Sequence, residues 1–232
     1  MTTHWTVVLS ARQAGTARSA EALDTLCRMY WYPLYAYIRR QGHAAHDAQD
    51  LTQEFFARLL RKGWLDPVAL GKGKFRTFLL VVLKRFLADE WDRARAAKRG
   101  GGQTLFSLDA ASAEERYRLE PASILSAEKI YERRWALTLL DHTMERLEGE
   151  FGTAGKAAEF DRLKAFLTAA KGEISYPDTA AALGLSEAAT RQAVHRLRRR
   201  FRQLFREEIA HTVSSPGEID DEVRHLMGLF AE

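Results

Sequence analysis

A chain of 232 residues that is 46% hydrophobic and 28% charged has room for one or two domains and enough apolar side chains for a core. Its one cysteine, Cys27, excludes an internal disulfide and any metal cluster built from cysteine. With no signal peptide and no run of about eighteen apolar residues, the sequence points to a reducing, cytoplasmic setting without membrane insertion. The net charge is only +4 and the pI about 9.2, but the cations are clustered: from Glu187 to Arg206 there are seven arginines (191, 196, 198, 199, 200, 202 and 206) against the one acid Glu187. Such clustering suits a phosphate backbone or another polyanionic surface.

Five prolines and no long alternating apolar/polar run argue against sheet, so the fold class is all-α. Val7-Val8-Leu9 suit a small N-terminal helix or clip. Ala20–Gln41 reads as a helix pair or kinked helix, with Leu23, Leu26, Cys27, Tyr30, Leu34, Tyr37 and Ile38 inside, Pro33 as a kink or restart and Gly42 as the stop. Cys27 fits there as a small buried residue. The next helix is Asp47–Leu60, with Asp47 as N-cap, Asp50 at the third helical position, and Leu51, Phe55, Leu59 and Phe56 inward. Gly63–Lys74 is a loop. The following helix, from Phe75, is apolar almost all round to Leu87, so burial among other helices is expected. It then turns basic and stops at Gly100-Gly101-Gly102. Lys84, Arg85, Arg95 and Arg99 fall on one flank of it, Leu79, Leu83, Phe86, Leu87 and Ala94 on the other, with Trp91 near the exit. A solvated flank with an Asp89–Arg93 pair is the plain reading of that stretch; a polyanion site is the sharper one.

Residues 100–123 lack a sustained stripe and read as a linker. Helices resume at Ile124, with Tyr131–Leu147, a break at Gly149–Gly155, and Phe160–Ala170. Pro177 suits the first turn of a short helix Asp178–Leu183, Gly184-Leu185-Ser186 is a tight turn, and Ser186 can cap a long helix Glu187–Glu208 buried along Thr190, Val194, Leu197, Phe201 and Leu204/Phe205. That succession is the helix-turn-helix pattern. Arg191, Gln192, His195, Arg196 and Arg199 lie off the buried stripe, where Arg and Gln can read base edges and other arginines can bind phosphate. Beyond Ser214-Ser215-Pro216-Gly217, an acidic amphipathic tail carries Ile219, Val223, Leu226, Met227 and Phe230. It is expected to fold back on its own domain; a detachable lid or partner-docking helix is the alternative.

The acidic helix DAQDLTQEFFARLL, the stretch FRTFLLVVLKRFLADEWDRARAAKRGG and a C-terminal helix-turn-helix ending AVHRLRRRF together resemble the extracytoplasmic-function group of sigma-70 family RNA polymerase sigma factors, over Tyr30–Gly101 and Ala136–Phe205. The resemblance implies a factor that directs promoter-specific initiation, with an N-terminal sigma domain over 1–99, a linker over 100–123, a helix-turn-helix domain over 124–212 and a tail over 213–232. It implies a core-polymerase surface at Asp47, Asp50, Leu51, Gln53, Glu54 and Phe55, facing a coiled coil of the β′ subunit. It implies −10 recognition and melting by Trp64, Lys72, Lys74, Arg76, Lys84, Arg85, Trp91, Arg95 and Arg99, with the 63–74 loop receiving a flipped base. It implies −35 reading by Ser186, Glu187, Arg191, Gln192, His195, Arg196 and Arg199 in a domain that also meets the β flap. An anti-sigma factor or a kinase is the expected type of regulator. The chain departs from the family pattern at Phe78 (usually Trp), Arg85 (usually Asn), Gln49 (usually an acid), Asp178-Thr179 and Ala189-Thr190, in an inserted Gly149–Glu159, and in the tail after Thr212.

Two other readings compete. A stand-alone helix-turn-helix regulator would explain Ser175–Phe205 but not the N-terminal half. His43-x-x-His46-Asp47 contains the dipeptide of HD-type metal-dependent phosphohydrolases, but that chemistry needs a further His and Asp, for which His4 and Asp141 are the distant candidates. The glycine loop 71–74 lacks P-loop spacing, so neither cofactor nor metal is expected and the chain is not read as an enzyme.

Overall fold

The computed structural model describes residues 17–59, 73–96, 110–118, 125–170 and 172–230, and every regular element among them is helical. They are α1 (Ala17–Arg40), α2 (Ala45–Leu59), α3 (Phe75–Ala96), α4 (Ala110–Arg118), α5 (Ala127–Thr153), α6 (Ala157–Leu163) with a 3-10 turn Lys164–Leu167, α7 (Tyr176–Leu183), α8 (Glu187–Ala210) and α9 (Ile219–Gly228), the last preceded by a 3-10 turn Pro216–Glu218. The expectations for Val7–Leu9, for Gly100–Gly102 and for most of the 63–74 loop lie outside the described residues.

The chain divides into two units, Met1–Thr138 with Ala210–Glu232, and Leu139–Ile209. The first unit is built on the aromatic face of α1. Tyr30 meets Phe75 edge-on at 5.3 Å and stacks with Trp135 at 6.4 Å. Phe55 of α2 meets Phe86 of α3 edge-on at 5.7 Å. Pro33 does not restart the helix: it lies inside α1, which is continuous across it. A proline there costs a backbone hydrogen bond, and burial of its neighbours Leu34 to Ile38 offsets that loss. Gly42, at φ +96, ends the turn after α1 as expected, in a conformation that disfavours side-chain-bearing residues.

Several boundaries differ from the sequence reading. α2 begins at Ala45, so Asp47 sits in its first turn rather than at the cap. Its buried stripe is Ala48, Thr52, Phe55, Phe56 and Leu59, which turns Leu51 half outward. α3 is not enclosed all round: Phe75, Leu79, Leu83 and Phe86 are buried, but Val81 is 44% exposed. Arg93 pairs with Glu90 at 2.6 Å, not with Asp89, because the i,i+3 spacing also brings two side chains together. Cys27 is half-buried, and burial pushes its thiol up to about 11.

The expected linker contains α4, which docks on α1 by an ion pair. Arg39 donates to both Glu114 oxygens at 2.9 Å, Tyr35 Oη donates to the same carboxylate at 2.6 Å, and the Arg39 guanidinium lies 4.8 Å from the Tyr117 ring. The tail is not part of the second unit, where the sequence reading expects it. It belongs with the first, where Phe75 N–H donates to Thr212 O at 3.1 Å and Ser214 Oγ donates to Gly73 O at 2.7 Å.

The second unit packs Leu147, Phe160, Leu163 and Phe166 against Ala193, Val194, Leu197 and Leu204 of α8. α5 runs through Gly149 and Gly152, and the chain turns at Gly155 (φ +70), later than expected. The expected helix Phe160–Ala170 is instead α6 and its 3-10 turn. On the α8 flank, Arg146 pairs with Glu207 and Glu208, and Arg200 with Glu150. His142 Nδ1 lies 3.3 Å from Glu208.

Candidate functional site

In the second unit, local chemistry fixes the geometry closely. Ser175 Oγ caps α7 by accepting from Asp178 N–H at 3.3 Å, and Pro177 sits in the first turn. Gly184 closes α7 in the left-handed conformation at φ +65. Ser186 Oγ then accepts from Ala189 N–H at 3.2 Å and starts α8. Ser186 is therefore occupied as a cap.

From α8, Arg191, Gln192, His195 and Arg196 line an open surface groove of about 380 Å³, and Arg199 is exposed one turn on. Arg191 is held from two sides. Its Nε donates to Glu187 Oε1 at 3.0 Å, its Nη2 also meets that oxygen, and its guanidinium lies 4.3 Å over the Tyr176 ring. Glu187 thus acts on Arg191. Tyr176 is not among the residues the sequence singles out, because it stands outside α8 and no periodicity links it to Arg191. Arg198 and Arg200 do not add to the exposed set: Arg198 donates to Phe166 O at 2.7 Å, and Arg200 Nε donates to Glu150 Oε2 at 2.7 Å.

In the first unit, α1, α2 and α3 surround an open groove of about 610 Å³ whose lining includes His43, Asp47, Asp50, Leu51, Lys84, Glu90 and Trp91. Asp47 and Asp50 are exposed, and Leu51 is half-buried along the same wall. His46 Nδ1 lies 3.1 Å from Asp50, and Glu54 accepts from Arg58 Nε at 2.7 Å. Gln53 is half-buried. Phe55 is a correction: it is fully enclosed against Phe56 and Phe86, so a partner cannot touch it.

The cations expected for the −10 strand split into groups. Lys84 and Arg85 are exposed, Lys84 donating to Glu128 at 2.7 Å, and Trp91 is 58% exposed. Arg76 is covered in this structure: it is 2% exposed, lies 5.1 Å over the Trp135 ring and meets Glu222 at 3.1 Å. Lys74 meets the same carboxylate at 2.6 Å. Trp64, Lys72 and Arg99 lie outside the described residues, as does the side chain of Arg95.

The geometry therefore offers an acidic, partly apolar groove on one unit and a capped helix with an outward row of polar and cationic side chains on the other. The ECF sigma factor family model matches residues 6–207, most of the chain. The chain belongs to the ECF sigma factor family. No curated protein and no solved structure matches it. ECF sigma factors are non-enzymatic regulators that act in transcription initiation and bind RNA polymerase core and promoter DNA. Among the described residues of this ECF sigma factor, no group of three or more His, Cys, Asp or Glu side chains could hold a metal, and no helix is long and apolar enough to cross a membrane. His46 of the HD-like sequence contacts Asp50 instead.

Proposed function

We propose that this ECF sigma factor grips core polymerase with the α2 wall of the first-unit groove and reads the promoter −35 element with the outer face of α8. Asp47 and Asp50 supply negative charge for a basic helical hairpin, the β′ coiled coil, while Leu51 supplies apolar contact beside it. Gln53 and Glu54 flank that patch. The α3 flank bearing Lys84 and Arg85, continued in sequence by Arg95 and Arg99, tracks the −10 strand, with Trp64 and Lys72 of the preceding loop at the opened base. On α8, Arg191, Gln192 and His195 face base edges, and Arg196 and Arg199 face phosphates. The same unit meets the β flap. An anti-sigma factor or a kinase regulates the factor.

The observation that carries this reading is the pairing of exposed acids with a half-buried leucine on one groove wall, in a chain whose family binds core polymerase. The test is an Asp47→Lys, Asp50→Lys double reversal. Its affinity for purified core polymerase falls by about tenfold or more, roughly 1.4 kcal/mol, because like charges now face the hairpin. Binding to duplex promoter DNA by the second unit is unchanged. A pull-down of core polymerase equal to wild type contradicts the docking assignment.

A further inference from the structure

The family match ends at residue 207, and the tail beyond it does one specific thing in the first unit: it takes up the two cations at the start of α3. Glu222 is fully enclosed, with Lys74 Nζ at 2.6 Å and Arg76 Nη2 at 3.1 Å. Around this ion cluster, Ser214 Oγ donates to Gly73 O at 2.7 Å, His225 Nε2 lies 3.5 Å from Glu132, and the Arg133 guanidinium lies 6.0 Å from the Phe230 ring. The apolar hold is thin. On α9 only Glu222 and Leu226 are buried, while Met227 is 61% and Phe230 37% exposed.

We propose that α9 is an internal stand-in for a nucleic-acid strand: its Glu222 carboxylate occupies the Lys74/Arg76 seat until a single-stranded phosphate backbone displaces it. This rests on the −10 reading above. The physics suits a strap that leaves whole. Removing one member of a buried ion cluster strands the others, whereas lifting the carboxylate away returns both sides to water or to a new anion, so the cluster adds little net hold against release. A phosphodiester offers the same acceptor chemistry to an ammonium and a guanidinium. Binding is then reciprocal: the strap lowers affinity for the strand, and the strand loosens the strap by the same factor.

The test uses hydrogen exchange on the intact chain with a mixed-sequence single-stranded DNA oligonucleotide as probe. The amides of α9 lose protection when the oligonucleotide binds. In parallel, deletion of residues 214–232 and the Glu222→Gln variant each raise oligonucleotide affinity about five-fold or more. The deletion also steepens the salt dependence by roughly 1.4 in slope, two cations at about 0.7 each. Lys74→Gln placed in the deletion variant cancels most of the gain. Unchanged α9 protection on the intact chain overturns the inference even if the deletion variant fails to fold. Protection lost only on adding core polymerase also overturns it, since the occupant would then be protein. A factor that directs initiation yet shows unchanged α9 protection loses only the strap; one that directs no initiation loses the reading on which the strap rests.

Discussion

Arg191 is clasped by the Glu187 carboxylate and the Tyr176 ring, while its side chain stays exposed. A pre-set planar fork loses less entropy on binding than a freely rotating one. Tyr176→Leu should therefore weaken discrimination at one base position by about 1 kcal/mol, while Tyr176→Phe keeps it, because the ring and not the hydroxyl makes the contact. Alanine at Arg191, Gln192 or His195 should each alter base preference, at about 1–3 kcal/mol per two-pronged contact. Alanine at exposed Arg202 should lower affinity evenly and flatten the salt dependence. A selection over randomised upstream sequence separates these outcomes; equal, sequence-blind losses at all positions would contradict base reading. Burial pushes the Glu208 carboxyl up, but its interactions with His142 and Arg146 outweigh it and hold the group at about 2, against an ordinary 4.5. A lowered folded value means stability that is present above about 4.5 and lost as pH falls towards 2. The same carboxylate raises His142 above its ordinary 6.5, so that contribution is complete below 6.5 and lost as pH climbs past the raised value. Thermal melts of Glu208→Gln should lose both limbs of this dependence; a pH profile matching wild type would contradict it.

Among the elements, α2 shows how far a pattern can be read. Its helical period is plain in the sequence and sets Phe55, Phe56 and Leu59 inward, as observed, but it also sets Leu51 inside, where the structure leaves it half-buried. Thr52 takes the inner position because its Oγ1 donates to Ala48 O at 2.6 Å, which satisfies a hydroxyl that would otherwise be costly to bury. The expected consequence is a split between neighbours. Phe55→Ala should destabilise the first unit by about 3–5 kcal/mol through a cavity, whereas Leu51→Ala should cost less stability and more affinity for core polymerase. Denaturant melts and a core-binding assay distinguish the two; equal stability losses would show that Leu51 is ordinary core. α7 and α8 were the most legible elements, since proline, glycine and serine announce their ends locally. α4 was not, because its order comes from Arg39 and Tyr35, more than seventy residues away along the chain. In α9, one cue was there to be read: Glu222 lies on the same face as Ile219, Val223 and Leu226, and an acid on an apolar face implies a buried partner.

For the whole molecule, the all-α class and the outward position of Asp47, Asp50, Arg191, Gln192 and His195 are legible in the sequence, because amphipathic periods and charge clusters are local properties. The tail's seat and the enclosure of Arg76 did not, because ion pairs between distant segments leave no trace in periodicity. Arg76, which the resemblance assigns to the −10 strand, meets Glu222 in this structure. On the function proposed above, this chain converts bare core polymerase into an enzyme that starts at defined sites. Run-off transcription with purified core polymerase on a genomic fragment library, using the chain with residues 214–232 removed and no inhibitor present, measures that directly. Discrete transcripts should appear only with the factor and vanish in the Asp47→Lys, Asp50→Lys variant. A transcript profile identical with and without the factor would contradict it.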